Sequence, residues 1–125
     1  MFCHANRVLT VAAALLTSFV SVDATAAEPF DVVSSRESFV SLVQGRELRR
    51  FGIRLTVSPD GDIIGRAFGS EVTGDWDWEN GYFCRDLFWG GEDLGFNCQL
   101  VQVNGETLRF TTDQGQGIYA DLTLR

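Results

Sequence analysis

The sequence predicts a mainly β protein: one short N-terminal helix, then an antiparallel meander of about seven strands closing into a small barrel, with a two-sheet sandwich as the alternative. Three observations carry this. Apolar residues recur with a helical period only around residues 35–44, and from residue 47 onward they alternate with period two. Turn-forming runs, among them Ser58-Pro59-Asp60-Gly61, Asn80-Gly81, Gly90-Gly91 and Asn104-Gly105, interrupt that alternation at short intervals. No repeat or low-complexity linker divides the chain.

The N-terminus reads as a secretory signal peptide over residues 1–26. Arg7 supplies a short basic region, Val8 to Val22 an apolar run, and Ala24-Thr25-Ala26 a cleavage site of the A-x-A kind. The run is shorter than the roughly 20 apolar residues that span a bilayer, so cleavage after Ala26 is expected, leaving residues 27–125 as a single periplasmic or secreted β-rich domain with no transmembrane segment. Cleavage also removes Cys3, His4 and Met1, so the remaining chain has two cysteines and no histidine, methionine or lysine.

Ser34-Ser35-Arg36-Glu37 has the S-x-x-E spacing of a capping box; Phe39, Leu42 and Val43 then share one helical face, and Gly45 is placed to end the helix. Phe51, Ile53, Leu55 and Val57 alternate with Gly52, Arg54 and Thr56 as a first strand. The return strand after Gly61 has apolar residues on both faces. In Glu71 to Glu79, Val72, Gly74, Trp76 and Trp78 occupy one face, and Glu71, Thr73, Asp75, Asp77 and Glu79 the other. Trp76 is accordingly expected in the core, together with Phe96 and Leu100.

Cys84 and Cys98 lie symmetrically about Gly91, and folding the chain there sets them opposite each other. In an oxidising compartment an even pair of cysteines forms a disulfide. A hairpin about a three-residue loop would also set Asp86 opposite Phe96 and Phe88 opposite Leu94. Beyond Asn104-Gly105, Leu108 and Phe110 fall on the face of Val101 and Val103, whereas Phe96 and Leu100 fall on the other; a bulge or a strand buried on both sides would reconcile them. The last strand alternates Ile118, Ala120, Leu122 and Leu124 with Tyr119, Asp121 and Thr123.

The charge balance is acidic, with a formal net charge of -7, which offers no footprint for a phosphate backbone and argues against a nucleic-acid partner. Catalysis by histidine is excluded once the leader is gone. Two thiols and scattered carboxylates do not make a zinc site, and the cysteines are too far apart for the C-x-x-C of thiol exchange. Asp75, Asp77 and Glu79 suit a solvated strand face better than calcium, because no EF-hand spacing accompanies them. Arg46, Arg49, Arg50 and Arg54 are the one basic stretch and are expected to form ion pairs with the fold's own acids. Gly115-x-Gly117-x-x-Ala120 has the letters of a dinucleotide fingerprint without the helix and βαβ unit it requires. No metal and no cofactor are expected.

The residues expected to bind a ligand are Arg85, Trp78 and Trp89. Arg85 shares a strand face with Phe83, Leu87 and Trp89; if that face points into a barrel, its guanidinium needs an acid of the fold or an anionic group of a ligand.

Taken together, Gly74-Asp75-Trp76, Tyr82-Phe83-Cys84-Arg85 and Asn97-Cys98 resemble a family of small secreted bacterial β-proteins without an assigned activity, over a span from about Arg46 to the C-terminus. Some members of that family carry the label dihydrodipicolinate reductase, an enzyme whose dinucleotide-binding domain has no counterpart in this sequence. Gly74-x-Trp76 is also similar to the G-x-W of lipocalin-like and avidin-like barrels, although here it falls in the third expected strand rather than the first. That likeness implies a small ligand held inside a barrel. The leading expectation is therefore a non-enzymatic β-domain that binds a small molecule or an envelope protein. A small hydrolase or lyase using Arg85, Asp86 and Asp75, and a secreted enzyme inhibitor, are the alternatives.

Overall fold

The computed structural model describes residues 12–19 and 29–125. The expected leader falls largely outside these residues, including its cleavage site at Ala26, and residues 12–19 carry no regular secondary structure. No helix among the described residues is long and apolar enough to cross a membrane.

A two-residue strand, β1 (Asp31–Val32), precedes the helix α1 (Arg36–Val43). The helix starts one residue later than the capping box implies: Ser35, not Ser34, is the cap, and its Oγ accepts the Ser38 backbone N–H at 3.1 Å. Val33 is still extended at that point and donates its N–H to the carbonyl of Val101, which delays the first helical turn. Gly45 ends the helix in the left-handed region, with φ +71, where a Cβ would be strained.

Eight strands follow in meander order: β2 (Leu48–Arg50), β3 (Ile53–Val57), β4 (Asp62–Ala67), β5 (Ser70–Glu79), β6 (Tyr82–Trp89), β7 (Glu92–Asn104), β8 (Thr107–Thr111) and β9 (Tyr119–Leu124). Each pairs with the next, and β9 pairs back onto β2 through Leu48↔Leu124 and Arg49↔Thr123, so the sheet closes into an eight-stranded antiparallel barrel. β1 is an extra strand on β7. Closure removes the free edges that an open sheet would present.

Two local readings of the sequence are corrected. The alternation expected to run through Phe51 breaks there, because Gly52 takes φ +75 and turns the chain; Phe51 is the tip of the β2–β3 turn and 93 % exposed. The β6–β7 hairpin keeps Cys84↔Cys98 and Asp86↔Phe96 in register, but its loop is the pair Gly90-Gly91, with Trp89 opposite Glu92 and Phe88 opposite Asp93. A two-residue loop leaves one residue over, and a bulge between Asp86 and Phe88 absorbs it. Gly95, at φ +83, sits in the irregular part of β7.

Phe39 of α1 fills one end of the barrel. It is fully buried, and its ring lies 5.2 Å from that of Trp76, 5.3 Å from Trp78 and 5.1 Å from Phe83. Gly74 completes the inner face of β5: a Cβ there would come within 2.3 Å of the Asp86 carbonyl oxygen. Val101, Leu108 and Phe110 lie in the core, but Phe96 and Leu100 do not occupy it as expected. Phe96 is 60 % exposed, and Leu100 is half-buried with its side chain beside Gly115 in the turn α2 (Thr112–Gly115). They stand on the outer face because Val101 and Val103 already fill the inner one. The sequence conflict is thus settled by exposure, not by two-sided burial.

Cys84 and Cys98 form the disulfide that joins β6 to β7. Closing a loop of this order contributes about 3 kcal/mol in the chain-entropy model. Reduction, or Cys84→Ser, is expected to lower the melting temperature clearly, and thiol titration of the denatured, unreduced protein should find neither cysteine free. Phe39→Ala removes the plug and should cost about 3–5 kcal/mol, read as a shifted midpoint in urea unfolding.

Candidate functional site

The turns of an up-and-down meander alternate between the two ends of the barrel. α1 closes one end. At the other, the turns β2–β3, β4–β5, β6–β7 and β8–β9 gather around a cavity of about 240 Å³. Its floor is built from Val57, Ile63, Phe83, Phe110 and Leu122, the first three of which are almost fully buried. Ile118 and Tyr119 lie at its rim, 82 % and 60 % exposed, so the space reaches solvent.

Inward-facing positions of β6 and β7 place two polar side chains in this apolar wall. Arg85 is paired in register with Trp76 on one side and Asn97 on the other, and its Nη1 donates to the Gly95 carbonyl at 2.7 Å. That carbonyl belongs to the irregular stretch of β7, so the bulged hairpin supplies the guanidinium's hydrogen-bond partner among the described residues. Burial pulls the Arg85 guanidinium below its ordinary value, and the neighbouring Asp86 carboxylate offsets this only in part. Asp86 itself cannot pair with it, because adjacent strand residues face opposite ways. Gln99, opposite Phe83, is 9 % exposed, and no hydrogen bond to its side-chain amide occurs among the described residues.

Three other arginines pair with acids. Within the basic stretch, Arg46 pairs with Glu106 and Arg49 with Glu47 at 2.7 Å, as expected, but Arg50 and Arg54 form no ion pair among the described residues. Arg109 meets Asp121 through two hydrogen bonds of 2.9 and 3.1 Å between β8 and β9. Arg85 is thus a charge inside the barrel with no carboxylate partner among the described residues.

The structure brings together only part of the expected ligand set. Arg85 lines the cavity. Trp78 is stacked on Phe39 at the closed end, and its buried indole N–H has no hydrogen-bond partner among the described residues. Trp89 donates its indole N–H to the Ala67 carbonyl at 2.8 Å and does not reach the cavity wall. Gln99 was not singled out from the sequence, although it breaks the apolar alternation of Val101 and Val103 on the inner face. The set Arg85, Asp86 and Asp75 is divided by the barrel wall: Asp75 and Asp86 are register partners on the outer face. Ligand atoms of Glu79, Cys84 and Cys98 lie within 4.8 Å of one another, but both sulfurs are committed to the disulfide.

No protein-family model matches the chain, and neither a curated protein nor a solved structure matches it.

The Arg109–Asp121 pair has a pH signature. Its hydrogen bonds hold the Asp121 carboxyl below the ordinary value. A carboxyl depressed on folding contributes stability above its unfolded value, lost as pH falls through the folded one. Acid titration is expected to show an Asp121→Asn variant losing less stability than the parent below about pH 4.

Proposed function

We propose that this protein is a non-enzymatic binding domain, working outside the cytoplasm, that holds a small, largely apolar molecule carrying one anionic group. The observation that carries this is Arg85: a guanidinium in a mostly apolar cavity, whose lining also includes Arg50, Gln99 and Thr112, with no carboxylate partner among the described residues. Burying a charge is costly unless it is paired and hydrogen-bonded, and a carboxylate, sulfonate or phosphate head entering from the mouth supplies the pair. Gln99 offers an additional amide for the same head, and the surrounding Leu, Ile, Val and Phe side chains suit a hydrocarbon body. With about 30 Å³ per water-sized unit, the cavity accepts a molecule on the order of ten non-hydrogen atoms. The disulfide supports an oxidising compartment, as does the leader-like N-terminus.

Isothermal titration with octanoate tests this reading. The parent should bind, and Arg85→Leu should weaken binding roughly ten- to a hundredfold, the worth of charged hydrogen bonds. The same variant should remain folded, since Arg85 is only half-buried and its loss removes one hydrogen bond, that to the Gly95 carbonyl. Equal affinity in parent and variant would show that the cavity does not use its arginine.

A further inference from the structure

Near the cavity mouth the outer surface brings two features together. The first is a row of arginines. Arg54 on β3 stands directly opposite Arg49 on β2 and directly opposite Arg66 on β4. Like charges in register are destabilising. Arg49 has Glu47, and Arg66 faces Glu71 and donates to the Gly69 carbonyl. Arg54, in the middle, has no hydrogen bond or ion pair among the described residues.

The second feature is apolar. Phe51 projects from the β2–β3 turn at 93 % exposure, and Phe68 from the β4–β5 turn at 64 %. The two turns touch: the Phe68 N–H donates to the Gly52 carbonyl, and a Cβ on Gly52 would meet the Phe68 ring at 2.5 Å. Phe68 holds a positive φ of 50, a conformation unusual for a bulky residue, and the sequence keeps an aromatic there. Ile64, 58 % exposed, lies on the outer face of β4 two residues from Arg66.

From this arrangement we infer that the β2–β4 side of the barrel's open end docks on an anionic phospholipid bilayer, away from the exposed acids Glu92, Asp93 and Asp113 on the other two turns of that end. Phe51 and Phe68 insert at the headgroup boundary, and Arg49, Arg54 and Arg66 meet the phosphates. Tips that project singly from turns fit a fluid acyl layer, whereas a protein partner would need a pocket matched to each. A two-fold dimer through this face would bring the arginine rows together. Packing it on Asp62, Asp75 and Asp86, which form an acidic row in register across β4, β5 and β6, is heterologous and would give a ring or an open filament rather than a two-fold dimer. Basic side chains beside interfacial aromatics are the pairing that holds peripheral proteins at anionic membranes. The inference does not depend on the cavity's occupant.

The test is sedimentation of the exported, purified protein with vesicles of phosphatidylglycerol and phosphatidylethanolamine, against vesicles of phosphatidylcholine alone. Binding is expected to the anionic vesicles only and to fall with salt. The double variant Phe51→Ser, Phe68→Ser and the single variant Arg54→Glu should each reduce the partition coefficient about tenfold or more. Phe96→Ser, which removes an equally exposed aromatic from the outer face of β7, should not. Near-UV circular dichroism and octanoate titration on the same samples report folding and the cavity separately. No binding to anionic vesicles, or binding untouched by the Phe51, Phe68 and Arg54 changes, overturns the inference. So does self-association in light scattering that Arg54→Glu abolishes, which would assign the face to a second copy of the chain.

Discussion

A closed barrel of eight strands has an interior that its own side chains must fill or leave open, and here a single helix decides which end is which. α1 is only eight residues long, too short to persist alone in water. It is held by Phe39 and Val43, exposed by 0 % and 1 %. Phe39 meets both tryptophans of β5 and the phenylalanines of β6 and β8, so one ring ties the helix to three strands at once. With that end sealed by aromatics, the floor of the cavity is set, and polar groups on the inner face can only open toward the other end.

The second constraint is the β6–β7 hairpin. Gly90-Gly91 makes a two-residue loop, and the residue left over forces a bulge whose Gly95 carbonyl points at Arg85. The disulfide lies next to the two polar cavity residues of β6 and β7 in sequence: Cys84 precedes Arg85, and Cys98 precedes Gln99. Because side chains alternate, the sulfurs sit on one side of the sheet and the guanidinium and amide on the other. The covalent tie therefore fixes the register of the strands that carry the polar groups without occupying their face. Pre-organisation of this kind reduces what ordering a binding site costs.

Much of this architecture was legible in the sequence, and the failures share a cause. Period-two alternation with Gly-containing turns reported the strands, and the symmetry of Cys84 and Cys98 about Gly91 reported their pairing. Alternation also placed Arg85 with Phe83 and Leu87 on one face. It could not say how far each face is covered. Phe96 and Leu100 read as core residues by hydrophobicity alone, yet Gln99, Val101 and Val103 are the ones that point inward on β7. Trp78 and Trp89 read as ligand residues by size, yet one packs on Phe39 and the other bonds the Ala67 carbonyl. The cap at Ser35 and the turn at Phe51-Gly52 depend on tertiary partners, Val101 and Phe68, that lie far away in sequence.

Charge shows the same dependence on register. A net charge of -7 describes an acidic molecule, but the strand pairings sort that charge into rows: arginines across β2, β3 and β4, aspartates across β4, β5 and β6. β4 belongs to both rows, with Arg66 toward the open end and Asp62 toward the closed one. A composition-level argument averages these rows away, whereas a bilayer or a ligand meets them one at a time. The basic row borders the mouth on the side of β2, β3 and β4, whereas Glu92, Asp93 and Asp113 are exposed on the β6–β7 and β8–β9 turns of the same end. An anionic surface is therefore met by one side of the mouth first, even though the molecule as a whole is repelled by it.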